Sequence, residues 1–158
     1  MNYVQILRDT FVFKSMPEAE LKKLVALASE ERLAGQATVF SEGEAGDDMY
    51  IIALGSVRVL KKNRDGVEEE IATLGTGSYF GEMALVADEH ERTATIVASE
   101  PTTMLVLRRQ AIETLCAKDN ALAHHFYRAL ARGLVRRLRA TSTDAAYYKT
   151  LMKQHHRS

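Results

Sequence analysis

Cysteine is almost missing from this 158-residue sequence, Cys116 being the single one. One thiol cannot close a disulfide within the chain, and with neither a CxxC pair nor a four-cysteine set there is no thiolate site for zinc or an iron–sulfur cluster. A reducing interior fits that usage, and a cytoplasmic location is the default expectation. Neither sign of charge is in excess, with 21 Lys/Arg against 21 Asp/Glu. That excludes the overall basicity of a nucleic-acid binder without excluding a local patch. No eighteen apolar residues follow one another, and the leading MNYVQILRDT lacks the charged lead, apolar core and small-residue cleavage site of a secretory signal. Catalytic signatures are missing as well: there is no GxSxG, no P-loop and no carboxylate pair in an otherwise apolar setting. Of the five histidines, His124-His125 and His155-His156 are adjacent pairs. Helix neighbours point about 100° apart, so neither pair offers two ligands on one face. His90 stands alone in a polar loop where exposure is expected. The segments that read as strands contain no histidine, so the clustered ligands of a metal-dependent barrel enzyme are missing. The sequence therefore reads as a non-enzyme with no cofactor and no metal.

What is present divides into three parts. With 46% hydrophobic residues the chain can bury one respectable core. Residues 1–120 carry 13 Lys/Arg against 20 Asp/Glu, and residues 121–158 carry 8 against 1, so an acidic body bears a basic tail. Near the start, Tyr3, Ile6, Leu7, Phe11 and Phe13 predict a short amphipathic piece packed beneath the body. Ser15-Met16-Pro17-Glu18 reads as a capping box that opens a helix. Leu21, Leu24, Val25 and Ala28 give that helix one apolar face.

Over residues 31–107 the pattern changes to short runs rich in Val, Ile, Phe, Tyr and Thr, divided by glycines at intervals of roughly ten residues, which suits an antiparallel β-barrel or jelly roll. The clearest hairpin runs from Val57 through Asn63-Arg64-Asp65-Gly66 to Leu74. Glu68-Glu69-Glu70 is the solvated start of its return strand. Residues 94–99 and 103–107 supply further strands, with Pro101 at the turn between them. Ile112 and Leu115 begin a short helix that Lys118-Asp119-Asn120 break or cap. Leu122, Phe126, Leu130, Leu134 and Leu138 then recur every fourth residue, widened by Ala123, Tyr127, Ala131 and Val135. A helix over residues 120–148 would be about 40 Å long, more than a body of this size covers, so part of it is expected to meet a second copy. Gly133 within it would let a facing backbone come near. The fold class expected is α+β: an antiparallel barrel with flanking N-terminal helices and a long C-terminal helix. Residues 1–118 form the barrel domain, and residues 119–158 the helix and tail.

The most informative stretch is residues 80–94, FGEMALVADEHERTA. Gly81 can take backbone angles closed to other residues and admits a ligand close to the main chain. Glu82, Met83, Ala84 and Leu85 are good helix formers, so one turn of helix is expected here, with unpaired N–H groups at its mouth that attract an anion. Arg92, ten residues beyond Glu82, offers a planar fork of donors that suits phosphate. The Glu82 carboxylate accepts from a sugar hydroxyl while the arginine offsets its charge. Together they read as a phosphate and sugar cradle, although an isolated arginine or glutamate of this kind is more often a solvated surface group. The Thr93 hydroxyl could serve a phosphate oxygen, a purine edge or simply a strand.

The run Phe80-Gly81-Glu82-Met83-Ala84-Leu85 followed by Arg92-Thr93-Ala94 resembles the phosphate-binding cassette of cyclic nucleotide-binding domains. The segments Glu42-Gly43-Glu44-Ala45-Gly46-Asp47-Asp48-Met49-Tyr50-Ile51-Ile52 and Gly55-Ser56-Val57-Arg58-Val59 are similar to that family's glycine turns and strands. Arg136-Arg137-Leu138-Arg139-Ala140-Thr141-Ser142 resembles the long central helix of the catabolite-activator type. Met83 stands where leucine is usual, a change that conserves volume. The resemblance implies a module that binds a cyclic nucleotide, cAMP or cGMP, with cAMP favoured. It places phosphate on Arg92 and the N–H groups around Ala84, and ribose on Glu82. The base then lies toward Thr141 and Ser142, a pair otherwise unremarkable on a helix. Thr93 would favour guanine and Thr141-Ser142 adenine, so the base stays open.

It further implies a homodimer joined through the C-terminal helix, which signals occupancy to a downstream protein. A membrane partner is not expected. The competing reading is a Crp/Fnr-type transcriptional regulator, or a nucleic-acid binder acting through the basic C-terminal helix. Arg128, Arg132, Arg136, Arg137 and Arg139 could grip a nucleic-acid backbone, lie on the acidic body of a partner subunit or simply solvate the helix. The stripe 128, 132, 136, 139 runs beside the leucines, which favours the last two. No second helix pair follows to enter a major groove before Ser158, so DNA recognition by this chain alone is not expected.

Overall fold

The computed structural model describes residues 1–155, apart from the side chains of residues 147, 148, 151, 154 and 155. The side chains of Tyr147, Tyr148 and His155, and the whole of His156, lie outside that description. The chain runs α1 (Tyr3–Asp9), α2 (Glu18–Leu27), β1 (Ser29–Leu33), β2 (Thr38–Phe40), β3 (Asp48–Leu54), β4 (Ser56–Lys62), β5 (Glu68–Gly75) and β6 (Tyr79–Phe80). After a 3-10 turn (Glu82–Leu85) come β7 (Thr95–Ala98), β8 (Thr102–Arg108), α3 (Arg109–Lys118) and α4 (Asn120–His155). All strand pairing is antiparallel, in two four-stranded sheets of order β1-β8-β3-β6 and β2-β7-β4-β5. This is the jelly-roll arrangement expected from the glycine spacing. Among the described residues no helix is long and apolar enough to cross a membrane.

The strands β3 and β8 explain why the sheet has helices on one side and a second sheet on the other. Successive side chains of a strand point to opposite faces. Met49, Ile51, Leu105 and Leu107 pack with Leu7, Phe13, Leu21, Leu24, Ile112, Leu122 and Phe126 of the helical layer. Tyr50, Ile52, Met104 and Val106 pack with Val57, Phe80 and Ile96 between the sheets. A strand buried on both faces reads as an unbroken apolar run, as MYIIAL and MLVL do. The β4–β5 hairpin turns at Asn63, whose Oδ1 accepts from the N–H groups of Asp65 (2.9 Å) and Val67 (3.0 Å). Gly66 supplies the positive φ of 79°.

Two local readings are corrected. No capping box opens α2: Pro17 holds the N-cap position without a side-chain cap bond. The Glu18 carboxylate is drawn instead to Arg8 at 2.5 Å and Lys22 at 3.3 Å. Gly133 faces no second backbone. A Cβ there would lie 2.5 Å from the Tyr79 hydroxyl oxygen and 2.6 Å from Val12 Cγ1, so the missing side chain lets α4 press on its own body.

Helix α4 has 36 residues, about 54 Å at the usual rise. Asp119 caps it, accepting from the Leu122 N–H at 3.0 Å, and also binds Lys23 at 2.6 Å. The buried Glu20 carboxylate meets His125 Nδ1 at 2.8 Å and ties α2 to α4. Leu122, Phe126 and Leu130 are buried, whereas Val135 and Leu138 are exposed by 49% and 67%. The leucine stripe therefore docks on the body for its first turns and then projects beyond it.

Candidate functional site

Gly81 takes a left-handed φ of 75° between β6 and the 3-10 turn. A Cβ at this point would lie 2.7 Å from the Asp48 carbonyl oxygen and 3.0 Å from Arg92 Nη1, so glycine is what lets the main chain pass over the guanidinium. The turn that follows is tighter than the expected α-turn. Its Ala84 N–H is used internally, donating to the Gly81 carbonyl at 3.2 Å, which leaves Glu82 and Met83 as its leading N–H groups.

Arg92 enters from the other side and is only 6% exposed. Its Nη1 donates to the Asp48 carbonyl at 2.9 Å, and the guanidinium lies 4.2 Å from the centre of the Phe40 ring. Nε is buried with no hydrogen-bond partner. None of the ion pairs among the described residues includes Arg92. Gly46 makes room for it, since a Cβ there would stand 2.4 Å from Nε. A buried donor without a partner costs about 1–3 kcal/mol, and more when charged. The fold thus buries a cation beside the cavity without a carboxylate partner among the described residues.

Glu82 is 3% exposed, and the cation that pairs with it is Arg137 rather than the expected Arg92. Its Oε1 accepts from Nη1 of Arg137 on α4, whose Nη2 donates to the Tyr79 carbonyl at 2.6 Å. The same guanidinium lies 4.4 Å from the centre of the Tyr79 ring. Burial pushes the Tyr79 phenol up from its ordinary range despite this cation, so the hydroxyl stays protonated at neutral pH. Arg137 is a cavity-lining side chain that the sequence reading leaves among the basic residues of the tail.

These groups open on one cavity of about 520 Å³, within the usual span for small-ligand sites. Phe40, Phe80, Ile96, Ile71 and Leu74 supply much of its apolar wall, and Gly81, Glu82, Met83, Ala84, Arg92, Thr93, Arg137 and Thr141 also line it. Met83 is exposed by 51%. Thr93 is exposed, and its carbonyl accepts from Lys61 Nζ at 2.8 Å. The Thr141 hydroxyl donates to the Arg137 carbonyl at 3.0 Å. Ser142 is exposed and does not line the cavity. Of the eight residues singled out in the sequence, seven meet here. The phenylalanines are brought to the site by the strand register, and Arg137 by the docking of α4.

A deep guanidinium, a carboxylate nearby and an apolar wall can hold a phosphate, a sugar and a flat base. Comparison with known proteins agrees with that chemistry. The family model described as Cyclic nucleotide-binding domain matches residues 30–119. The chain is 40% identical over 96 residues to the Cyclic AMP receptor protein of Thermus thermophilus, covering 61% of this chain and 44% of that protein. It is 35% identical over 117 residues to cGMP-dependent protein kinase, isozyme 1, of Drosophila melanogaster, covering 72% of this chain and 15% of the kinase. The solved structure of Thermus thermophilus Catabolite Activator Protein superposes with a TM-score of 0.76 at 31% identity, over 89% of this chain and 63% of that one. The chain spans less than half the length of these two curated relatives.

Proposed function

This chain belongs to the cyclic nucleotide-binding domain family, and on that premise we propose that it is a non-enzymatic, cytoplasmic regulatory module that binds a 3′,5′-cyclic nucleotide, cAMP in preference to cGMP. The observation that carries this reading is the buried guanidinium of Arg92, in no ion pair among the described residues, beside a cavity that Glu82 also lines. The cyclic phosphate is assigned to Arg92 and the turn from Gly81 to Ala84, with the Glu82 and Met83 N–H groups as its leading donors, and the ribose hydroxyl to Glu82. The base lies along the apolar wall toward Thr93 and Thr141. Preference for cAMP rests on Thr141 at the cavity and on the 40% identity to a protein named for cyclic AMP.

Residues 1–118 act as the binding unit and residues 119–158 as the switch. A ligand shifts a conformational equilibrium only by contacts it makes better in one state than another. The Glu82 carboxylate is such a contact, because Arg137 already holds one of its two oxygens. Sugar binding must share or displace that guanidinium, and Arg137 lies where α4 leaves the body. A turn of α4 would also decide whether Ser142 reaches the base. The exposed Val135 and Leu138 support pairing of α4 with a second copy. Titrating cAMP and cGMP separately into the full chain by calorimetry tests the reading, and heat from neither overturns it.

A second reading, a regulator acting on DNA or RNA, is favoured by the exposed Arg128, Arg132, Arg136 and Arg139. Arg136 is partly engaged, its guanidinium lying 4.0 Å from the centre of the Phe11 ring. Salt-dependent retardation of a duplex would support that reading.

A further inference from the structure

The cavity has a charge pattern that the proposed binding of a cyclic nucleotide does not by itself explain. Inside, the Glu82–Arg137 pair is neutral as a unit, and Arg92 adds one positive charge with no carboxylate partner among the described residues. The interior therefore matches a ligand bearing a single negative charge. Two further carboxylates, Glu89 and Glu91, also line the cavity, and both residues are exposed. Neither takes part in an ion pair among the described residues. The nearby ammonium of Lys61 binds the Thr93 carbonyl, and Lys61 is not among the cavity-lining residues.

This rim is held in place. Glu91 forms an isolated β-bridge with Ala45, and the flanking backbone bonds Arg92 N–H to Glu44 carbonyl (2.7 Å), Gly43 N–H to Arg92 carbonyl (2.8 Å) and Gly46 N–H to His90 carbonyl (2.8 Å) fasten the loop. Carboxylates beside an anion site weaken binding of any anion, so an acidic rim makes sense only where it weakens some anions more than others. Repulsion grows with the charge of the ligand. A phosphodiester carries one negative charge, a 5′-monophosphate about two and a triphosphate more. At the cavity the single charge is matched by Arg92, whereas each further one adds repulsion from Glu89 and Glu91, weakened by the solvent that reaches both.

We infer that Glu89 and Glu91 are specificity-determining residues that make this site a selector for monoanionic phosphodiesters and exclude 5′-mono- and triphosphates. The inference rests on the cyclic-nucleotide reading of the same cavity. It is tested with the full chain and with the Glu89→Gln/Glu91→Gln variant by calorimetric titration of cAMP, AMP and ATP, and of cGMP, GMP and GTP, at low and moderate salt. In the variant the affinity for the cyclic nucleotide should change by less than about threefold, while that for its 5′-phosphates should rise about fivefold or more at low salt and less at moderate salt. A Glu89→Lys/Glu91→Lys variant should extend the same trend. Should all ligands shift together, or the ratios stay as they were while the cyclic nucleotide still binds, the rim has no selective role and the ligand reading survives. Should the unaltered chain bind no cyclic nucleotide, both fall.

Discussion

The contact between Glu82 and Arg137 joins the cavity to α4, and its strength can be measured without any ligand. Replacing Arg137 by leucine strands a carboxylate that is 3% exposed. Removing one partner of a fully buried pair costs about 3–5 kcal/mol. The Arg137 side chain is 42% exposed, so solvent screens the interaction and about 1–3 kcal/mol is expected. For a chain of this length about 2 kcal/mol lowers the melting temperature by about 4–8 °C. The Glu82→Gln substitution keeps the shape and a hydrogen-bond acceptor, and leaves Arg137 its bond to the Tyr79 carbonyl, so its cost should be about 1 kcal/mol. The double variant contains neither the stranded carboxylate nor its partner. It should therefore lose less than the two single losses together, with a coupling of about 1–2 kcal/mol. Urea denaturation followed by circular dichroism at neutral pH gives all four corners of the cycle. Losses that add to within about 0.5 kcal/mol would mean that the two groups do not hold each other, and the proposed link from cavity to helix would fail.

Arg92→Leu should keep the fold, read by circular dichroism, and weaken cyclic-nucleotide binding by about 2–5 kcal/mol in calorimetry; unchanged affinity would remove Arg92 from the site. Leu138→Asp, at a position already exposed by 67%, should leave the melting temperature of the body unaltered. By light scattering at tens of micromolar it should convert a dimer to a monomer, and a monomeric mass for the unaltered chain would refute pairing through α4. The Asp119 carboxyl is held below its ordinary range by the hydrogen bond from Lys23 and, after it, by the Leu122 N–H. Its contribution to stability is thus present above the ordinary carboxylate value and is lost as pH falls through the lowered one. Asp119→Asn should flatten the acid limb of a melting-temperature profile without changing its shape near neutrality, and an unchanged acid limb would refute the assignment.

Much of this molecule was legible because its strands and turns obey local rules. The unbroken apolar runs in β3 and β8 fit two buried faces, and Asn63 to Gly66 can hardly do other than turn. Gly81, Glu82 and Arg92 stood out through the cassette they form together, since an arginine or a glutamate of this kind alone is more often a solvated surface group. The contacts of α4 were not. Heptad-like spacing says which residues share a face but not what the face meets. Thus Gly133 was assigned to a second copy when Tyr79 and Val12 occupy that place. Glu20 gave no sign of the bond to His125, a residue 105 positions away. Even Ser15 and Glu18, a local pattern, yielded to a cation brought near by the fold.

One signal for Arg137 was nevertheless in the sequence. Gly133, Arg137 and Thr141 lie four residues apart, so they share one side of α4, next to the leucine stripe and distinct from the line 128, 132, 136, 139. On that side Gly133 lets the helix approach the body, and Thr141 already belongs to the group read as touching a base. The residue between them is an arginine, which must therefore meet whatever anion the cavity holds. In the structure that anion is Glu82. A helix that touches the body through glycine, reaches the cavity through arginine and ends its contact at threonine has its last docked turn positioned by the group that the sugar is proposed to use. On the proposed reading, coupling between ligand and helix requires no relay of side chains, because the ribose would use the carboxylate of which Arg137 already holds one oxygen.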